Sequence, residues 1–131
     1  MSEENVEIVR RQFEAWNAKD MDAFRALCDP EVVMYHVKDW PEPGPTMGRE
    51  AVMRFIDQLR DTWDADTLEV TGEYIHAADR VVASFAWHGL GHGPQSNMKM
   101  TTIYTVRKRK IRSMEFFWDR DEALEAAGLR E

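Results

Sequence analysis

Only one cysteine, Cys28, occurs in the 131 residues, so no disulfide can form within the chain. Its place beside Phe24 and Leu27 in a helical pattern makes it a small buried hydrophobe rather than a nucleophile. No apolar run approaches the roughly 20 residues that a spanning helix needs. The first residues, Met-Ser-Glu-Glu-Asn-Val-Glu, lack the basic start and apolar centre of an export signal. A soluble, cytoplasmic protein is expected, with no membrane partner. Positive charge is also short: 17 Lys and Arg stand against 24 Asp and Glu, a net charge of −7. That balance opposes a nucleic-acid partner, whose phosphates demand a basic surface. The one basic run, Arg107 to Lys110 with Arg112 close by, falls where a hairpin should turn and reads as a solvated turn. His88 and His92 sit four apart but among glycines, without an acidic or cysteine partner, so no metal site is expected. The Gly89, Gly91, Gly93 run meets Pro94 and opens no helix, which excludes a phosphate loop. Nothing in the chain calls for a cofactor.

What is present is apolar and aromatic. Hydrophobic residues make up 44% of the chain and charged residues 31%, the balance of a soluble globular protein. The length fits one domain over residues 1–131 with a single core. Eight methionines and five tryptophans are generous for that size. Walls of this kind suit flat, hydrophobic small molecules better than charged ones.

Helical spacing of Val6, Val9, Phe13 and Trp16 predicts a helix from Glu3 to about Lys19. Asp20 can cap a second short helix carrying Met21, Phe24, Leu27 and Cys28, which Asp29-Pro30 ends. Glu31 to Val37 alternates Val32, Met34 and His36 against Val33, Tyr35 and Val37, the pattern of a strand covered on both faces. Lys38 to Met47, rich in proline, cannot be regular structure, yet it carries Trp40; a lid and a loop whose tryptophan seals the core are both open readings. A third helix opens at Gly48-Arg49-Glu50 and continues to about Trp63. Strands follow: Leu68 to His76, Val81 to Gly89, a flexible connection over Gly89 to Pro94, then a hairpin of Met98 to Val106 and Ser113 to Asp119. A short helix from Arg120 to Leu129 closes the chain. Helices first and antiparallel strands after read as an α+β fold, a curved, mostly antiparallel sheet wrapped around three helices of the N-terminal half.

Val9 to Phe24 (VRRQFEAWNAKDMDAF), Leu27 to Val32 (LCDPEV), Gly48 to Val52 (GREAV) and Lys110 to Asp119 (KIRSMEFFWD) together resemble the SnoaL-like and ketosteroid-isomerase-like proteins of the nuclear-transport-factor-2-like superfamily. The resemblance covers essentially the whole chain. It implies a cone-shaped α+β barrel, open at one end, dimeric through the outer face of the sheet. In the isomerases an aspartate base works with a tyrosine and a protonated aspartate that hold the oxyanion. The resemblance puts His36 at the position of the base, Gln12 at the tyrosine and Thr102 at the second donor. The oxyanion pair is thus missing as such, and a steroid isomerase is not expected. The SnoaL-like cyclases resemble the chain at its end, where Asp119 follows an aromatic strand; their accompanying histidine would fall at Thr102 or Tyr104, so that half is absent too.

His36 is the candidate acid or base, because an imidazole accepts a proton near neutral pH. A histidine satisfying a buried carbonyl is the competing reading. Asp119 either orients His36 or caps the final helix. Gln12, Trp16, Trp40, Phe55, Phe85, Trp87, Met100, Thr102, Tyr104, Met114, Phe116 and Trp118 are the candidate substrate-binding residues, with Met114, Phe116 and Trp118 on the inner face of the last strand and Glu115 and Phe117 outside, under a partner subunit. The expected activity is cofactor-free acid/base catalysis, an isomerase, cyclase or hydrolase acting on an apolar carbonyl- or epoxide-bearing molecule. The alternative is a non-catalytic module that binds a hydrophobic ligand or dimerises.

Overall fold

A computed structural model describes residues 2–40, 44–61, 63–91 and 93–129. Pro41 and Pro43 of the expected loop, and His92, lie outside the described residues.

The first helix, α1 (Ser2–Asn17), buries Val6, Val9, Phe13 and Trp16 along one stripe and leaves Arg10, Arg11 and Glu14 in solvent. Its stripe therefore faces a core, as the spacing predicts. The second, α2 (Met21–Leu27), starts where the Asp20 carboxylate accepts the Ala23 N–H at 3.1 Å. It stops one residue earlier than expected. Cys28 has extended geometry and already pairs with Ile111 of the last strand, while Pro30 disfavours helix at Asp29 and so leaves the helix no room to continue. Strand β1 thus runs Cys28–Tyr35, with a register irregularity before Val33, and Cys28 is fully buried as expected.

Thr46 and Met47 form β2, a two-residue strand inside the segment expected to be irregular; they pair with Met34 and Val33. Gly48 follows at φ 93, a left-handed conformation that favours glycine, and opens α3 (Arg49–Arg60). That helix ends before Trp63, which instead begins β3 (Trp63–Val70). The expected strand from Leu68 to His76 is divided by Gly72, at φ 82, so that Ile75–Ala77 makes a separate β4. The glycine-rich connection is largely strand: β5 (Arg80–Gly91) and β6 (Gly93–Arg107) pair as far as Gly91 and Gly93. A turn at Lys108 and Arg109, both at positive φ, leads to β7 (Lys110–Phe117), and α4 (Arg120–Ala127) ends at Gly128 in the left-handed conformation.

Described strands join in the order β2-β1-β7-β6-β5-β3, with β4 on β5. Every pairing is antiparallel except β1 with β7. The result is a curved, unclosed sheet, an α+β fold of the expected kind. Alternation decides the two faces. Val81, Ala83, Phe85 and Trp87 of β5 and Met100 and Tyr104 of β6 join the residues of α1, α2 and α3 in the main core. Val82 and Ile103 point the other way into a second cluster with Ala123, Ala127, Phe117 and Leu124. Phe117, expected on the outer face, is partly covered there by α4 of the same chain.

Candidate functional site

Between the helices and the inner face of the sheet lies a cavity of about 90 Å³. Gln12 and Trp16 reach it from α1 because they share the buried stripe of that helix, one turn apart. Phe55 enters from α3. Phe85 and Trp87 of β5, Met100 and Tyr104 of β6, and Met114 and Phe116 of β7 line it through strand alternation. His36 and Trp40 close it from the segment that follows β1. Eleven of the fourteen residues singled out in the sequence therefore meet at one cavity.

Three do not line it. Thr102 points inward between Met100 and Tyr104 but is completely buried in the sheet-facing core. Trp118 comes after the end of β7, where alternation no longer holds; it is 46% exposed and its Nε1–H donates to the Lys38 carbonyl at 3.0 Å. Asp119 is exposed and caps α4, its carboxylate accepting the Asp121 N–H at 2.8 Å. It does not join His36 in lining the cavity, so of its two expected roles the structure displays the cap.

The His36 ring stacks on Phe55, with centroids 4.4 Å apart and planes 32° from parallel. Its Nε2 shares a hydrogen bond of 2.7 Å with the Thr46 hydroxyl. Gly44 crowds the same ring: a Cβ there would stand 2.9 Å from Cδ2. The peptide between Gly44 and Pro45 is cis.

Few other polar groups reach the cavity. The Gln12 amide, 3% exposed, meets the sulfurs of Cys28 at 3.9 Å and Met114 at 3.7 Å, which are weak acceptors. It keeps hydrogen-bonding capacity for a better partner. Among the described residues the buried Trp40 Nε1–H has no hydrogen-bond partner. Burial pushes the Tyr104 phenol well above its ordinary range, so the hydroxyl stays protonated and able to donate. Burial also pushes the Cys28 thiol up to about 11, against a weaker opposing pull from Arg49. Cys28 is a thiol at neutral pH and not a nucleophile.

Sequence reasoning missed one group behind the wall. Asp66 is 6% exposed, and its Oδ2 accepts the indole N–H of both Trp16, at 2.7 Å, and Trp87, at 2.9 Å. Asp64-Ala65-Asp66 reads as the break after a helix. The signal was there all the same: Asp66, Leu68 and Val70 alternate in phase, and Leu68 lines the cavity. Thr46 was missed because it lies in a proline-rich stretch with no periodicity.

The SnoaL-like domain family matches residues 9–114. The chain belongs to the SnoaL-like family. An NTF2-like protein of unknown function from Burkholderia pseudomallei K96243 superposes with a TM-score of 0.78 at 21% identity, covering 95% of this chain and 97% of the other. Rv0760c of Mycobacterium tuberculosis, crystallised with estradiol-17beta-hemisuccinate, gives 0.77 at 20% identity over 91% of this chain and 95% of the other. TerC, co-crystallised with polyporic acid, gives 0.77 at 18% identity over 96% and 97%. No curated protein matches the sequence. At these identities the superpositions establish the fold, and the SnoaL-like chain's chemistry lies in its own cavity.

Proposed function

We propose that this SnoaL-like chain is a small-molecule pocket protein that acts on a flat, apolar, carbonyl- or epoxide-bearing substrate by cofactor-free acid/base catalysis. The observation that carries the reading is His36, an imidazole in the wall of a mainly apolar cavity. Its ring is held against Phe55, so a substrate carbon brought beside it meets a base of fixed orientation. Abstraction of a proton next to a carbonyl leaves the electron pair on the carbonyl oxygen, and the Gln12 amide and Tyr104 hydroxyl are donors available to that oxygen. They are neutral and weakly acidic, so the rate expected from them is modest. The ring-bearing ligands of Rv0760c and TerC support a pocket of this chemical character.

The test is turnover followed by mass spectrometry over a panel of cyclic ketones and epoxides. His36→Ala should abolish conversion while leaving substrate binding within a few-fold; full conversion by that variant would overturn the assignment. A second reading, a binding module without chemistry, is favoured by the hydrogen bond that already engages His36 Nε2 and by the position of Asp119 away from the cavity. Binding across the panel with no product from any compound would decide for it. We further propose a homodimer through the outer sheet face, in the region of β1 and β2, where Tyr35 is 44% and Met47 68% exposed. Sedimentation of the wild-type chain as a monomer would refute it.

A further inference from the structure

Trp16 and Trp87 form one wall of the cavity, edge to face, with ring centroids 6.1 Å apart and planes at 88°. Neither indole is free to turn. A single oxygen, Asp66 Oδ2, accepts both N–H groups, and the other oxygen, Oδ1, faces Arg60 Nη2 at 3.3 Å. Arg60 in turn lies over the Trp16 ring, 4.6 Å from its centroid, and donates to the Trp16 carbonyl at 3.2 Å. Its side chain is 13% exposed and that of Asp66 4%. Next to them, Asn17 both donates to and accepts from the Leu68 backbone at 2.8 Å, which fixes β3 against the end of α1.

A buried ion pair contributes little net stability, because desolvation offsets the attraction. Its consequence here is geometric. With both N–H groups turned toward Asp66, the wall offers the cavity ring faces and edges but no donor, and the two rings cannot rotate to follow a flexible guest. We propose that Asp66 is the positioning residue of the pocket, holding Trp16 and Trp87 as a preformed aromatic corner that selects rigid, flat ring systems over flexible chains of equal carbon count. The proposal rests on the ring-ligand reading above and names what enforces it.

The test compares naphthalene, followed by its fluorescence, with n-decanol, followed by displacement of naphthalene, on the full chain. Two charge-neutral double variants avoid leaving one buried charge alone. Asp66→Leu with Arg60→Met removes the acceptor; Asp66→Asn with Arg60→Gln keeps an oxygen for the indoles. Both lose the guanidinium over Trp16, so their difference isolates the acceptor. The acceptor-free variant should lower the preference for naphthalene by about tenfold, the scale on which small changes of apolar pocket shape discriminate ligands. It should also lose the circular-dichroism signal of the coupled Trp16–Trp87 pair. The acceptor-retaining variant should keep most of both. If the two variants behave alike, whether both retain or both lose the preference and the signal, the positioning role is wrong. Failure of the wild type to bind naphthalene would instead sink the ring-ligand reading, and the dichroism signal would still decide whether Asp66 holds the indoles.

Discussion

His36 Nε2 and Thr46 Oγ1, 2.7 Å apart, join the segment that follows β1 to β2, so the candidate base is fixed by a residue of the proline-rich stretch. Thr46→Val removes the hydroxyl while keeping a branched side chain of similar size. The loss of one partly buried hydrogen bond should cost about 1 kcal/mol in urea denaturation. The imidazole should also gain freedom, seen as a shift and broadening of its ring resonances in NMR. Unchanged resonances would mean that Phe55 and the other contacts of the ring hold it without Thr46.

Gly44 gives a sharper probe of the same ring. A Cβ at this position would lie 2.9 Å from His36 Cδ2 and 3.0 Å from Cγ, closer than carbon atoms approach without displacement. Gly44→Ala should push the imidazole off Phe55 and cost about 1–3 kcal/mol, as overpacking usually does. Turnover should fall, since the displaced imidazole leaves its place in the cavity wall, while ring-ligand binding stays within a few-fold, as for His36→Ala. A turnover assay beside a thermal melt would show both effects; an alanine variant with native turnover would place His36 outside the working site.

Asp119 caps α4 and stands outside the cavity lining. Asp119→Ala removes the side-chain acceptor of the Asp121 N–H and should destabilise the chain by about 1 kcal/mol, the usual cost of a lost N-cap. Hydrogen exchange should rise in α4 and at Val82 and Ile103 beneath it, while ligand affinity stays within twofold. A large loss of turnover in this variant, with unchanged α4 exchange, would restore Asp119 to the chemistry.

Where local pattern and tertiary demand coincide, the sequence was legible. The α1 stripe of Val6, Val9, Phe13 and Trp16 and the alternation of Val81 to Trp87 place most of the cavity wall correctly, since 3.6- and 2-residue periods are backbone geometry. Trp118 was misplaced because alternation carries no information past the last paired residue, and β7 ends at Phe117. For Asp66, alternation with Leu68 and Val70 gives the face but not the role, which depends on partners arriving from α1, α3 and β5. Gly44 and Thr46 depend on a loop path that no period encodes. The cover of Phe117 by α4 is likewise a tertiary choice, for an exposed aromatic on an outer face looks the same in sequence whether its own helix or a partner lies over it.

Cys28 ties stability to pH. Its thiol is pushed from an ordinary 9.0 up to about 11, chiefly by burial, which penalises the thiolate. The folded chain therefore holds this proton more tightly than the unfolded chain. Below pH 9 both states keep the proton and the contribution is whole; from there it falls with rising pH and is gone once the pH passes about 11. That rise corresponds to about 3 kcal/mol. Urea denaturation at a series of pH values should show that slope in the wild type and a flatter one in Cys28→Ala, whose cavity cost is the same at every pH. Ellman's reagent should leave the folded protein unmodified at neutral pH and react only at the rate of unfolding. Parallel slopes for the two proteins would show that the thiol titrates alike in both states, and rapid labelling of the native chain would show that Cys28 reaches solvent.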